Sequence, residues 1–242
     1  MAPERQRSGV IPEPTVARLP IYQRIAAELA RTGQSTVSSE QLAALAGVTA
    51  AKVRKDLAHL GQLGTRGTGY DAAQLVRGIS EVMGVDQDWP VVIVGIGNLG
   101  RALINARGFL ARGYRLVGLV DTDPRILGTE ISGHTVVRFD ELPARLADKV
   151  AIGIIATPAS AAQDAADQLV ALGAGSLLNF APTVLMTPPQ IRVRYVDLSI
   201  ELQVLSHFAL TDHPDAGAMS SVGIQPIGLP WTPAAEERGA RS

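Results

Sequence analysis

Residues 91–121 read VVIVGIGNLGRALINARGFLARGYRLVGLVD. A β-branched apolar run at 91–94 leads into Gly95-Ile96-Gly97-Asn98-Leu99-Gly100, after which helical spacing is expected from about 99 to 111. A second apolar run then ends at Asp121. The pattern GxGxxG is weak alone and strong between a strand and a helix. Gly95 allows a tight turn, Gly97 lets backbone approach a pyrophosphate, and Gly100 lets helix and strand pack closely. The free N–H groups at Asn98 and Leu99 would then face the phosphates, helped by the helix dipole. Asp121 lies about 20 residues further on, where a carboxylate accepts hydrogen bonds from the adenosine ribose and repels a 2′-phosphate. The expected ligand is therefore NADH or NAD+ and not the phosphorylated forms. The competing reading is a glycine-rich turn in a Rossmann-type sheet that binds nothing.

Downstream, short Val/Ile/Leu runs alternate with helical stretches: HTVVRF, a short helix near 141–147, VAIGIIAT, a helix at 159–172, SLLNF and VRYVD. Near-continuous apolar strands separated by helices call for a parallel sheet covered on both faces. Open sheets of this kind bind ligands beyond the carboxyl ends of their strands. Thr157-Pro158 ends one such strand and Asn179-Phe180 another, with Phe180 suited to stacking near a nicotinamide. Proline-terminated strands with no ligand role are an equal alternative. Hydride transfer would also need an acid or base beside the substrate. The chain has three lysines, no tyrosine with a lysine four residues on, and four scattered histidines. No catalytic residue is assigned, and an enzyme is not expected.

Upstream, the texture differs. The first 15 residues, rich in proline and mixed charge, read as a disordered arm. Apolar residues then recur at three- and four-residue steps from Val16 through Leu19, Tyr22, Ile25, Ala26 and Leu29, and Gly33 ends the run. Ser38 or Ser39 can cap a second helix that Gly47 breaks, and Thr49 can cap a third with Val53, Leu57 and Leu60 inward. GQLGTRGTGY (61–70) suits a tight hairpin, and a further helix is expected over 72–84. Three helices followed by a glycine-rich hairpin make a winged helix. The third helix turns Lys52, Arg54 and Lys55 outward, where long cations reach guanine edges and phosphates. Arg66 in the hairpin is placed to enter the minor groove or grip the backbone. A solvated basic helix face is the plainer alternative.

Composition fits both halves. Residues 1–80 hold ten Lys/Arg against six acids, while the rest hold twelve against seventeen, so only the first third suits a polyanion. Aromatics are 4% of the chain, so the core is aliphatic. There are no cysteines, which excludes disulfides and thiolate metal sites, and no metal is expected. No run of about 18 apolar residues suggests a membrane span, and the N-terminus lacks a secretion signal, so a cytoplasmic protein is expected. The helix at 198–210 is apolar on more than one face, and residues 213–242 read as a disordered tail.

From about Ala17 to Leu210 the chain resembles the Rex family of redox-sensing transcriptional repressors. The pieces that carry the resemblance are SSEQLAALAGVTAAKVRKDLAHLG, GTRGTGY, VVIVGIGNLG, LNFAPTVL and VDLSIELQVL. It implies an α/β chain with a winged-helix DNA-binding domain at 16–84 and a Rossmann NAD(H)-binding domain at 85–212. The last helix would be exchanged in a homodimer. Such proteins bind palindromic operator DNA, with NADH releasing them and NAD+ permitting binding. The resemblance pairs Arg24 with Asp197, ahead of the exchanged helix, as an interdomain switch. One position departs from it: many members have a tyrosine on the first Rossmann helix that bonds this aspartate, and here the position is Ala106. Two alternatives follow, a repressor with an NADH-insensitive Rossmann domain and an NAD-dependent oxidoreductase with a helical extension.

Overall fold

The computed structural model describes residues 11–61, 64–65, 69–106 and 113–212. The first helix, α1 (Glu13–Arg31), starts three residues before the expected Val16. Pro14 sits in its first turn, where a missing N–H is harmless, and Glu13 faces the positive end of the helix dipole. The arm expected over 1–15 therefore ends before Glu13, and residues 1–10 lie outside the described residues. Strand β1 (Thr36–Val37) precedes α2 (Ser39–Ala46). Ser38 caps α2: its hydroxyl accepts from the Gln41 N–H while the Gln41 side chain accepts from the Ser38 N–H, and Gly47 ends the helix at φ 67°. Next come α3 (Ala50–Leu57) with a 3₁₀ turn, β2 (Gly64–Thr65), β3 (Gly69–Asp71) and α4 (Ala72–Met83). The hairpin β2–β3 is antiparallel, and β3 also pairs with β1. Leu19, Tyr22, Leu42, Val53, Leu75 and Ile79 are fully buried in one cluster. Each such aliphatic side chain contributes about 1.5–3 kcal/mol relative to exposure.

Strand β4 (Trp89–Val94) begins a second layer system. It continues with α5 (Asn98–Asn105), β5 (Tyr114–Val120), β6 (Glu130–Ile131), β7 (His134–Val137), β8 (Ile152–Ile155), α6 (Ala159–Ala171), β9 (Ser176–Asn179) and β10 (Arg192–Tyr195). The sheet order is β10-β9-β8-β4-β5-β7-β6, parallel except for β6 on β7. One face buries Val92, Val94, Ile155 and Leu177 with Ala162, Ala166 and Leu169 of α6. The other buries Val91, Ile93, Leu119 and Ile154 with Ile104 of α5. The chain order reverses between β4 and β8, which makes the crevice at their carboxyl ends the natural ligand site.

Two expected helices are shorter than their apolar spacing suggested. The helix expected to reach 111 leaves helical geometry at Ala106 (ψ 109°), and residues 107–112 lie outside the described residues. The stretch near 141–147 makes only a 3₁₀ turn, Pro143–Arg145, and Leu146 is already extended at ψ 126°.

The link between the two layer systems is tight. Gly84 ends α4 at φ 64° and its carbonyl accepts from the Trp89 indole at 2.7 Å. The Trp89 N–H donates to the Gly113 carbonyl at 2.7 Å. Gly113 itself, at φ 85°, lies so close to the carbonyls of Val85 and Gln87 that a Cβ would overlap both. Arg115 then bridges Asp88 and Asp148, each at 2.9 Å.

A second unit of the chain begins at Asp197. Its described part is α7 (Leu198–Asp212), entered through Asp197, whose carboxylate accepts from the N–H and hydroxyl of Ser199. Those bonds, the hydroxyl first, hold the Asp197 carboxyl below the usual range. Leu198, Leu202, Leu205 and Leu210 are each more than 60% exposed, far more apolar surface than one helix normally shows to water. Residues 213–242 lie outside the described residues. Among the described residues no helix is long and apolar enough to cross a membrane.

Candidate functional site

At the end of β4 the chain turns through Gly95 at φ 91°, where a Cβ would stand 2.6 Å from the Ala156 carbonyl oxygen. Only glycine serves both the backbone angle and the close approach. Gly100 is pressed against the Gly95 carbonyl so closely that any Cβ would overlap it. At Gly97, which precedes α5, a Cβ would meet nothing within 4 Å, so the space is open where a ligand's phosphates would lie. Asn98 and Leu99 form the exposed first turn of α5.

Asp121 closes the other side. Its Oδ1 accepts from the N–H groups of Thr122 (2.6 Å) and Asp123 (2.8 Å), and its Oδ2 accepts from the Ile96 N–H at 2.6 Å. A carboxylate has about four lone-pair positions, so roughly one remains, on Oδ2, for a ribose hydroxyl. Nearby, the hydrogen bonds of Arg125 pull the Asp123 carboxyl down to about 2. Arg125 is thereby already paired with an acid.

Between these walls lies a cleft of about 210 Å³ lined by Gly95, Asp121, Thr157 and Pro158, and also by Phe139 and Gln168. The Thr157 hydroxyl is buried there and has no hydrogen-bond partner among the described residues. An orphaned buried hydroxyl is destabilising, and a ligand in this cleft would supply what it lacks. These features fit a dinucleotide. Phe139 and the α6 residues Asp164 and Gln168 were not legible as site residues. They lie outside any short motif, and only the sheet topology brings them to the cleft.

The other two expected ligand contacts lie at the end of β9. Asn179 is 1% exposed, and its amide spans its own loop. It donates to the carbonyls of Ala181 and Thr183 and accepts from the Ala181 N–H. It shapes the turn after β9, with its amide already bonded within the loop. Phe180 packs against the apolar cluster on the α5 face of the sheet.

The second candidate surface is α3. The Thr49 hydroxyl accepts from the Lys52 N–H at 3.2 Å, capping the helix. Lys52, Arg54 and Lys55 are exposed, while Val53, Asp56 and Leu57 are buried. Arg54 is not a free cation: its Nη1 donates to Ser39 Oγ at 2.9 Å and to Glu40 Oε1 at 3.0 Å. The Glu40 carboxyl is lowered by its own backbone N–H first, then by Ser39 and Arg54. Both partners are more than half exposed, so the bond is weak and exchangeable. Arg66 lies outside the described residues. Arg24 is exposed on α1, and Ala106 is exposed at the end of α5.

Two family models match this chain: "CoA binding domain" over residues 86–183 and "Putative DNA-binding protein N-terminus" over residues 10–58. Among curated proteins, the redox-sensing transcriptional repressor Rex of Streptomyces coelicolor is 57% identical over 201 residues, 83% of this chain and 78% of that protein. The protein of the same name from Desulfitobacterium hafniense is 45% identical over 197 residues, 81% of this chain and 94% of that one. Among solved structures, the complex of RSP with β-NAD+ and operator DNA aligns with a TM-score of 0.77 at 30% identity, covering 89% of this chain and all of that one. RSP with β-NADH aligns at 0.76 and 30%, covering 87% and 99%.

Proposed function

Because the chain belongs to the Rex family of redox-sensing transcriptional repressors, we propose that it acts as a cytoplasmic homodimer on palindromic operator DNA, with occupancy set by the NADH/NAD+ ratio. One pairing of features carries the reading: a capped cationic helix beside an antiparallel wing, and a switch-point cleft whose buried Thr157 hydroxyl has no partner among the described residues. Residues 16–84 are the DNA-binding domain. Residues 85–212 are the nucleotide-binding domain with its dimerisation helix.

The residues divide the work. Thr49 fixes the start of α3, and Lys52 and Lys55 reach phosphates and base edges in the major groove. Arg54 exchanges Glu40 for a phosphate, and Arg66 grips the backbone from the wing. In the cleft, Gly95, Gly97 and Gly100 bring backbone to the pyrophosphate, with Asn98 and Leu99 supplying N–H donors. Asp121 receives a ribose hydroxyl, and Thr157, Pro158 and Phe180 border the nicotinamide end. The bound dinucleotide supplies a ring that is cationic when oxidised and neutral when reduced. Arg24 pairs with Asp197 and holds the winged helices at an operator-competent spacing. A ligand form that favours one spacing shifts the equilibrium by its differential contacts, typically about 1–3 kcal/mol.

The nucleotide is a signal here and not a reactant, in keeping with relatives named as repressors. A second reading, a repressor indifferent to NADH, is favoured by one residue: Ala106 has no hydroxyl to offer Asp197. Fluorescence anisotropy separates the two. A palindromic duplex selected by the purified chain from a randomised pool is titrated with protein at fixed salt, since phosphate contacts make affinity steeply salt-dependent. Release by NADH and not by NAD+ supports the sensor. Indifference to both supports the second reading, and Ala106→Tyr should then create a response. Failure to select any duplex would sink both.

A further inference from the structure

Helix α3 carries a single acid, Asp56, and its carboxylate turns away from the basic face. It is 2% exposed. Three side chains of α1 converge on it. Thr15 Oγ1 donates to Oδ1 at 2.9 Å, Arg18 donates Nε to Oδ2 at 2.6 Å and Nη2 to Oδ1 at 2.8 Å, and the Tyr22 hydroxyl donates to Oδ2 at 2.9 Å. Each oxygen accepts two bonds, so all four lone-pair positions are used. The donors lie at three- and four-residue steps along one stripe of α1. Tyr22 is itself fully buried.

Stability alone does not account for such a group. A buried ion pair roughly breaks even with well-packed apolar residues of the same volume, because desolvation offsets the attraction. What four directional bonds provide, and apolar contacts such as Val53 and Leu57 do not, is a single orientation. Apolar surfaces tolerate sliding, whereas hydrogen bonds weaken steeply once bent or stretched. Orientation matters on this helix because Lys52 and Lys55 project from its other side. At a helix radius of about 6 Å, a rotation of about 20° displaces a side-chain base by roughly 2 Å, enough to break a hydrogen bond to a base edge.

We propose that Asp56 is a positioning residue for operator recognition, its carboxylate locking the rotation and axial register of α3 against Thr15, Arg18 and Tyr22 of α1. The proposal rests on the repressor reading above. It assigns sequence discrimination to a buried acid that never touches DNA. It also makes α1, which carries Arg24, the element through which the recognition helix is aimed.

The test replaces the whole network with apolar residues of similar size: Thr15→Val, Arg18→Met, Tyr22→Phe and Asp56→Leu together. Affinities for the selected palindromic duplex and for a scrambled duplex of equal length are measured well below the melting temperature. The expected result is a cooperatively folded chain whose preference for the selected duplex drops by about tenfold or more, with binding to the scrambled duplex unchanged. A merely structural network would move the melting temperature and leave that ratio alone, so a native ratio overturns the proposal. Asp56→Asn serves as a second variant should the quadruple one not fold. Its amide keeps the shape but brings an N–H against the donors of α1, and in the folded state a lowered ratio supports the proposal and a native ratio overturns it. If the native chain itself shows no preference for any duplex, the repressor reading fails first, and that outcome is distinct from either.

Discussion

The Asp121 carboxylate reaches across to the glycine loop and accepts the Ile96 N–H at 2.6 Å. It therefore does two things, aiming the loop and leaving about one lone pair for a ribose hydroxyl. Asp121→Ser should loosen the loop and remove the repulsion of a 2′-phosphate. NADH affinity is expected to fall by about tenfold, and NADPH to become a comparable competitor, in titrations of nicotinamide fluorescence. Asp56 has a different signature. Burial on its own raises its carboxyl, but the bonds from Arg18, Tyr22 and Thr15 outweigh burial and leave it below its ordinary 3.8. A group whose folded pKa is depressed stabilises fully above the unfolded value and is lost as pH falls through the folded one. Denaturant melts at about pH 6 and about pH 3 should therefore show a larger loss for the native chain than for Asp56→Asn, which takes up no such proton. The Tyr22 hydroxyl, pushed up to about 12 by burial and then by Asp56, stays protonated throughout that range. Within the sequence Asp56 looks like one more solvated charge in KVRKDL. Its only legible mark is that it falls three residues after Val53 and beside Leu57, on the apolar side. Asn179 is ambiguous in the sequence, since its place at a strand end suits a ligand contact as well as a turn.

Helix α3 was readable because local rules agree there: a Thr49 cap, apolar residues on one side and cations on the other. Its cap and its charges have separable effects. Thr49→Ala should lower stability by about 1 kcal/mol, seen in thermal melts. Lys52→Ala should instead leave stability unchanged and weaken binding to the selected duplex by about 1–3 kcal/mol, more than to a scrambled one, in anisotropy titrations at fixed salt. Helix ends were less legible than helix centres. The start of α1 lies among prolines that suit a first turn as readily as an arm, and α5 stops at Ala106 without a glycine or proline at that position. Strand β6 is two residues long and forms the sheet's edge beside β7, so no run of apolar residues announces it. The long parallel strands, buried on both faces, were evident because burial on both sides leaves room for little besides Val, Ile and Leu.

At the scale of the whole molecule, two features define the expected assembly. The exposed leucines of α7 suit burial against a second copy of the chain. Leu202→Glu should yield a monomer in sedimentation velocity and weaken operator binding by about tenfold or more, because one half-site loses its partner. Arg24→Asp and Asp197→Arg should each lower operator affinity by up to about tenfold, and the two together should recover most of it in a double-mutant cycle. The linker adds a consequence of another kind. With the Trp89 indole bonded to Gly84, and Gly113 wedged beneath Val85 and Gln87, there is no slack between α4 and β4. A sensor half transplanted onto a foreign DNA reader at the obvious seam, the turn at Gly84, would arrive without its joint. A working chimera has to carry residues 84–89 together with Gly113, so the unit that recombination or an engineer can exchange is larger than either layer system and includes a glycine 29 residues beyond the seam.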